Sequence, residues 1–269
     1  MVRYAFKDFT AEFMTPARIF CDLSDSRLVT RDDELGCIRT PGVGLAVSQQ
    51  PLNPEVAAYV DALDLPDIVS RHRGMVYGGY PDDCRSYTLD NPTSILSLQQ
   101  QLWSIFPPDP GRAAFFADIA ARSRAVSVAT GYAVSSGDLR VELSPPPCGI
   151  HLDGGELRGG TAYRGPSTAF APLAVLADRA SLVNPDFDTA AYRERIARNL
   201  ATHDQKLFNR EVSFPSANSK GLQGWSRYPA RGSLFIFKAG RPHSSPTPDR
   251  FEPRLLLLLN TNEPSTPFY

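Results

Sequence analysis

The 269-residue sequence predicts an α+β chain with a β-sandwich or barrel at its core, backed by N-terminal helices. Two observations carry this. Apolar residues recur at helical spacing in the first 130 positions and at strand spacing, between glycines and prolines, from about 131 to 262. The change of period comes without a low-complexity linker or an internal repeat, so residues 1–269 are expected to form one domain.

GVGLAVSQQ (42–50) reads as a strand, and Pro54-Glu55 followed by VAAYVDAL reads as a helix with proline in its first turn. Thr93 is the expected cap of a helix over SILSLQQQLW. PGRAAFFADIAARS opens another, with Phe115, Phe116, Ile119 and Ala120 on one face. After Gly131, DLRVELS (138–144) alternates as a half-buried strand does, and GIHLDGG and GTAYRGP read as short extended pieces. Residues 188–209 are charged at helical spacing and predict an inserted surface helix. GSLFIFKAG (232–240) and PRLLLLLNTN (253–262) then restore the strand signal.

Composition narrows the class. Hydrophobic residues make up 42% and charged residues 21%, with net charge −1 and a pI near 6.4. No Lys/Arg-rich run marks a nucleic-acid footprint, no apolar run approaches the roughly 20 residues of a membrane span, and the first 14 residues lack a signal peptide's apolar segment. Cys21, Cys37, Cys84 and Cys148 are scattered without a C-x-x-C pair, which fits a reducing cytoplasm.

With four histidines in the chain, each can be weighed. In Gly149-Ile150-His151-Leu152-Asp153-Gly154-Gly155, strand alternation puts the His151 imidazole and the Asp153 carboxylate on one face. His243, after the strand GSLFIFKAG, supplies a second imidazole. Two histidines and one carboxylate form the facial triad that holds Fe(II) and leaves adjacent positions open for a co-substrate and O2. Asp153 has capping of the Gly154-Gly155 turn as its alternative role. Cys148, an odd three positions from His151, is expected to be a buried thiol rather than a ligand. His72 and His203 are expected at the solvated surface.

Arg254 follows His243 by eleven positions and opens the leucine run. His-x-Asp, a distal His after a later strand, then Arg resembles the Fe(II)/2-oxoglutarate-dependent dioxygenase superfamily. The resemblance implies a double-stranded β-helix (jelly-roll or cupin-like) core, Fe(II) on His151, Asp153 and His243, and 2-oxoglutarate held through its distal carboxylate by Arg254. A planar guanidinium suits a bidentate carboxylate. It further implies a dioxygenase that hydroxylates, desaturates or cyclises a small-molecule substrate. The chain departs from the pattern in two places. Asp153 and His243 lie 90 positions apart (153 to 243), so the 188–209 helix must sit outside the barrel, and Leu256 stands where a serine partner of the arginine is expected. Tyr163 is assigned to assist Arg254 instead, and Arg158 to grip an anionic substrate or co-substrate. Arg140 and Glu142, on one face of their strand, are expected to pair or to line the cavity, and Trp225, Tyr228 and Lys238 either wall the pocket or pack in the core.

A second resemblance spans about 42–262: LAVSQQPLNPEVAAYVDAL, Cys148-x-x-His151-x-Asp153, Arg158, Tyr163-Arg164-Gly165-Pro166-x-Thr168, His243-x-Ser245-Pro246 and Arg254-Leu-Leu-Leu. It is to an uncharacterised bacterial family, domain of unknown function 1826, and implies one continuous domain without naming a reaction. Ser244 stands where that family would have Arg. Two other readings share the residues: a Zn-dependent hydrolase on the same His/Asp/His site, and a non-catalytic small-molecule-binding barrel.

Overall fold

The computed structural model describes residues 26–72, 82–145, 157–170, 228–238, 243–246 and 251–262. Within them the strands are β1 (Ser26–Val29), β2 (Leu45–Ser48), β3 (Cys84–Asp90), β4 (Ala133–Glu142), β5 (Leu157–Arg164), β6 (Ala169–Phe170), β7 (Phe235–Lys238), β8 (His243–Ser244) and β9 (Arg254–Asn262). A 3-10 segment covers Asp32–Arg39. The α-helices are α1 (Pro54–Ala62), α2 (Leu65–Arg71), α3 (Ile95–Leu102) and α4 (Pro110–Thr130).

Seven strands form one sheet in the order β1-β2-β7-β5-β9-β4-β3, antiparallel except for the parallel β1–β2 pair. β6 and β8 form a second, two-stranded sheet. The fold is therefore mixed α+β with a large, mainly antiparallel sheet. Its strands do not all come from the C-terminal half. β1, β2 and β3 precede residue 131, so the N-terminal region contributes three of the seven strands as well as the helices. CRSYTLD alternates buried and exposed positions, which is what commits it to pair with β4.

The helices start where side-chain oxygens can satisfy the free N–H groups of the first turn. Asn53 accepts from Glu55 N–H (2.8 Å), Asp64 from Asp67 N–H (3.0 Å), Ser94 from Ser97 N–H (3.3 Å) and Asp109 from Gly111 N–H (3.0 Å). The cap of α3 is thus Ser94, not Thr93, whose hydroxyl donates to Asn91 instead. α4 ends at Gly131 in the left-handed conformation (φ +80°), a cap that glycine takes without a Cβ penalty.

Leucines 255, 257 and 259 of β9 face the helical layer, where they join Phe115, Phe116, Ile119, Val126 and Tyr163 in the main core. The opposite face carries Leu45, Val47, Phe235 and Phe237, covered by Phe170 of the small sheet. Four of the five consecutive leucines of β9 are buried and Leu258 is partly so, because the strand lies between β5 and β4 with material on each face. No helix among the described residues is long and apolar enough to cross a membrane.

Candidate active site

His243 opens β8, pairs with Phe170 in register and is almost fully buried. Its ring centre lies 4.7 Å from that of Phe237 and 6.1 Å from that of Phe170. An imidazole wedged between two rings is held by packing, which is how a rigid sheet fixes a functional side chain. Phe237 is in register with Arg158 on β5, and Arg158 with Asn260 on β9. His243 and Arg158 therefore flank the same phenylalanine on the same face of the main sheet.

Arg254 lies further along that face, by the alternation that turns Leu256 and Leu258 away from Leu255, Leu257 and Leu259. It is 2% exposed and its Nε donates to Glu142 Oε2 at 2.6 Å, the two residues standing directly opposite each other on β9 and β4. Glu142 is 1% exposed. Its other oxygen, Oε1, has no hydrogen-bond partner among the described residues. With Nε taken, the Nη1/Nη2 edge of Arg254 meets, among the described residues, only neutral acceptors at long range: Pro166 O at 3.4 Å and Ser245 Oγ at 3.5 Å. Ser245 is two residues beyond His243, so the β8 segment and the start of β9 converge.

The expected pairing of Glu142 with Arg140 is not formed. Glu142 takes Arg254, while Arg140 Nη2 approaches Asp138 Oδ2 at 3.7 Å on its own strand. Sequence reading missed this because opposite positions on β4 and β9 are 112 residues apart, and register is invisible until the strands are paired. On the neighbouring strand β3, burial pushes the Cys84 thiol up, and the nearby Glu142 charge adds to it, so this cysteine stays a protonated thiol.

Tyr163 is not beside Arg254. It is fully buried on the helix-facing side of β5, where its hydroxyl donates to Asp118 Oδ2 (2.8 Å) and its ring meets Phe115 edge-on at 4.9 Å. Burial, then the Asp118 carboxylate, pushes its phenol well above the usual tyrosine range. Among the described residues, the hydroxyl that hydrogen-bonds the arginine fork is Ser245, signalled in the sequence by its place two residues after His243. His151, Asp153, Cys148, His203, Trp225 and the 188–209 helix lie outside the described residues. Among those described, no group of three His, Cys, Asp or Glu side chains could hold a metal ion.

No protein-family model matches the chain, so the resemblance to domain of unknown function 1826 is not shown, and no curated protein matches it. Among solved structures it is similar to the rice dioxygenase for auxin oxidation, at 14% identity over 87% of this chain and 78% of that one, with a TM-score of 0.43. A 2OG-Fe(II) oxygenase-family oxidoreductase from Burkholderia pseudomallei shares 12% identity over 87% and 92%, TM-score 0.39. The Arabidopsis thaliana dioxygenase for auxin oxidation 1, in complex with 2-oxoglutarate, shares 10% over 89% and 92%, TM-score 0.42.

Proposed function

We propose that this chain is a non-haem Fe(II)/2-oxoglutarate-dependent oxygenase acting on a small molecule, with His151, Asp153 and His243 as metal ligands and Arg254 as the co-substrate's carboxylate anchor. The observation that supports it best is the convergence of His243 and Arg254 on one buried face, Ser245 bridging the two segments at 3.5 Å from Arg254 Nη2. His243 on β8 and Arg254 on β9 belong to different sheets, yet both turn into one largely apolar interior.

The residues fit the group in kind. A buried imidazole in an aromatic wall can offer a ring nitrogen to a metal, and the Nη1/Nη2 edge, held by two long contacts to neutral oxygens, suits a carboxylate that accepts two N–H groups. When bound, iron and 2-oxoglutarate together supply the oxidising power for attack on a substrate C–H bond. The chain's own part is binding and exclusion of water. Phe170, Phe235 and Phe237 keep the face dry, so charge contacts there act at low dielectric. Glu142 fixes the guanidinium from behind, and Arg158, beside Phe237, is positioned for a negatively charged portion of substrate or co-substrate. Tyr163, across the sheet, has no part in this site.

Anaerobic addition of Fe(II) and 2-oxoglutarate should give the visible metal-to-ligand charge-transfer band, and His243→Ala should abolish it. Arg254→Leu should weaken 2-oxoglutarate about tenfold to a hundredfold, the worth of a charge-assisted hydrogen-bond pair. A folded, iron-loaded chain that shows no band and forms no succinate from 2-oxoglutarate would sink the proposal.

A further inference from the structure

The helical layer holds a cavity of its own, separate from the face that carries His243. It measures about 370 Å³ and lies between α2 and the segment joining α3 to α4. Ile68, Trp103, Ile105 and Phe106 give it apolar walls, and Asp64, Asp67, Arg71, His72 and Arg112 give it polar ones. His72, expected at the solvated surface, is half-buried at the edge of this cavity.

Arg112 is the feature that calls for a ligand. It is 7% exposed, yet no described carboxylate lies within the 4.0 Å of an ion pair. Its Nη1 donates to the carbonyls of Trp103 and Phe106, both at 3.0 Å, and the guanidinium stacks on the Trp103 ring at 3.4 Å from its centre. Nε and Nη2 donate to none of the described residues. Carbonyls and a ring face soften a buried cation but leave its charge uncancelled.

The nearby acids are already committed. Asp67 is held by Arg71 at 2.6 Å, Asp64 caps the backbone of α2, and Asp109 caps that of α4. Arg112 also sits in the first turn of the 21-residue helix α4, where the helix end already carries partial positive charge. Two positive features thus meet one cavity of mixed polar and apolar lining, whose size falls within the range of small-ligand pockets.

We propose that this cavity binds a small organic anion: its carboxylate accepts from the Nε/Nη2 edge of Arg112, and its apolar body lies against Ile68 and the Trp103–Phe106 segment. Carboxylate geometry matches two parallel N–H donors on one guanidinium edge. The half-exposed Trp103 is the side chain whose environment changes on binding.

Fluorine NMR on the 5-fluorotryptophan-labelled full chain tests this, benzoate being the probe and uncharged benzamide its control. The chain has two tryptophans, and Trp103→Phe identifies the Trp103 resonance by its loss. Benzoate should shift that resonance saturably, with a dissociation constant on the order of 1 mM, as one ion pair plus a small apolar contact gives. Benzamide should bind at least about tenfold more weakly, one ion pair being worth that much here. Arg112→Gln should abolish the benzoate response, and His243→Ala should leave it intact. Equal shifts from benzoate and benzamide, or no saturable shift in the folded chain, would overturn the assignment. That comparison uses the unaltered protein, so it decides the matter even where Arg112→Gln does not fold.

Discussion

Glu142 and Arg254 illustrate what a buried pair demands of each partner. Removing the carboxylate in Glu142→Ala strands a guanidinium that is 2% exposed, and should cost about 3–5 kcal/mol. Replacing both residues, as Glu142→Leu with Arg254→Met, should cost far less than the sum of the single changes, since no charge is left alone. Urea denaturation of the wild type, Glu142→Leu, Arg254→Met and the double variant measures this coupling. Tyrosines give a second expectation. Burial first, and for Tyr163 also Asp118, raises the phenols of Tyr59 and Tyr163, and burial pushes Tyr87 up to about 12. The unfolded chain loses these protons near pH 10 while the folded chain keeps them, so the stability they supply is intact below pH 10. It should then fall above that, by about 1.4 kcal/mol per pH unit for each. Stability curves from pH 8 to 11.5, read with tyrosinate absorbance, check the sign. At this scale the sequence was readable for residue type but not for company. Arg254 stood out through its spacing from His243, whereas its carboxylate partner and the true surroundings of Tyr163 depended on register and on which way β5 faces.

Elements were more legible, because period and capping are local. The leucine run, GSLFIFKAG and the 110–130 helix all emerged as expected, and the departures have local causes. Ser94 rather than Thr93 caps α3 because its backbone is extended and its oxygen reaches Ser97 N–H. β3 escaped the reading because its arginine and hydroxyl positions dilute the apolar alternation that marks a half-buried strand. How α4 seats on the sheet had no local signature at all. It depends on Gly159, where an added Cβ would meet Val126 Cγ2 at 2.6 Å. Gly159→Ala should therefore lower stability by about 1–3 kcal/mol through overpacking. Val126→Ala in the same chain should recover part of that loss, as thermal denaturation would show. On the opposite face, Phe237→Ala should cost about 3–5 kcal/mol and remove the ring against which His243 packs.

For the molecule as a whole, the sequence foretold an α+β arrangement with a sheet at its centre and the N-terminal strand within 42–50, but not the two further strands β1 and β3. The first 130 residues hold strands as well as helices, since β1 and β2 extend one edge of the sheet and β3 forms the other. The two histidine-bearing segments were read as parts of one site because their spacing matched a known pattern. The cavity in the helical layer was not foreseen, since Arg112 and Trp103 look like ordinary members of amphipathic helices until the α3–α4 turn folds one over the other. The strand order itself carries a consequence for the birth of the protein. β9 sits in the interior of the sheet, joining β5 to β4, yet it is the last described strand to leave the ribosome. Until residue 262 has emerged, β3–β4 and β1–β2 cannot be joined through it, and the apolar faces of β4 and β5 wait uncovered. Nascent chains stalled at residue 250 should accordingly be protease-sensitive and bound by chaperones, and the completed chain should refold on the slow, millisecond-to-second scale of long-range pairing.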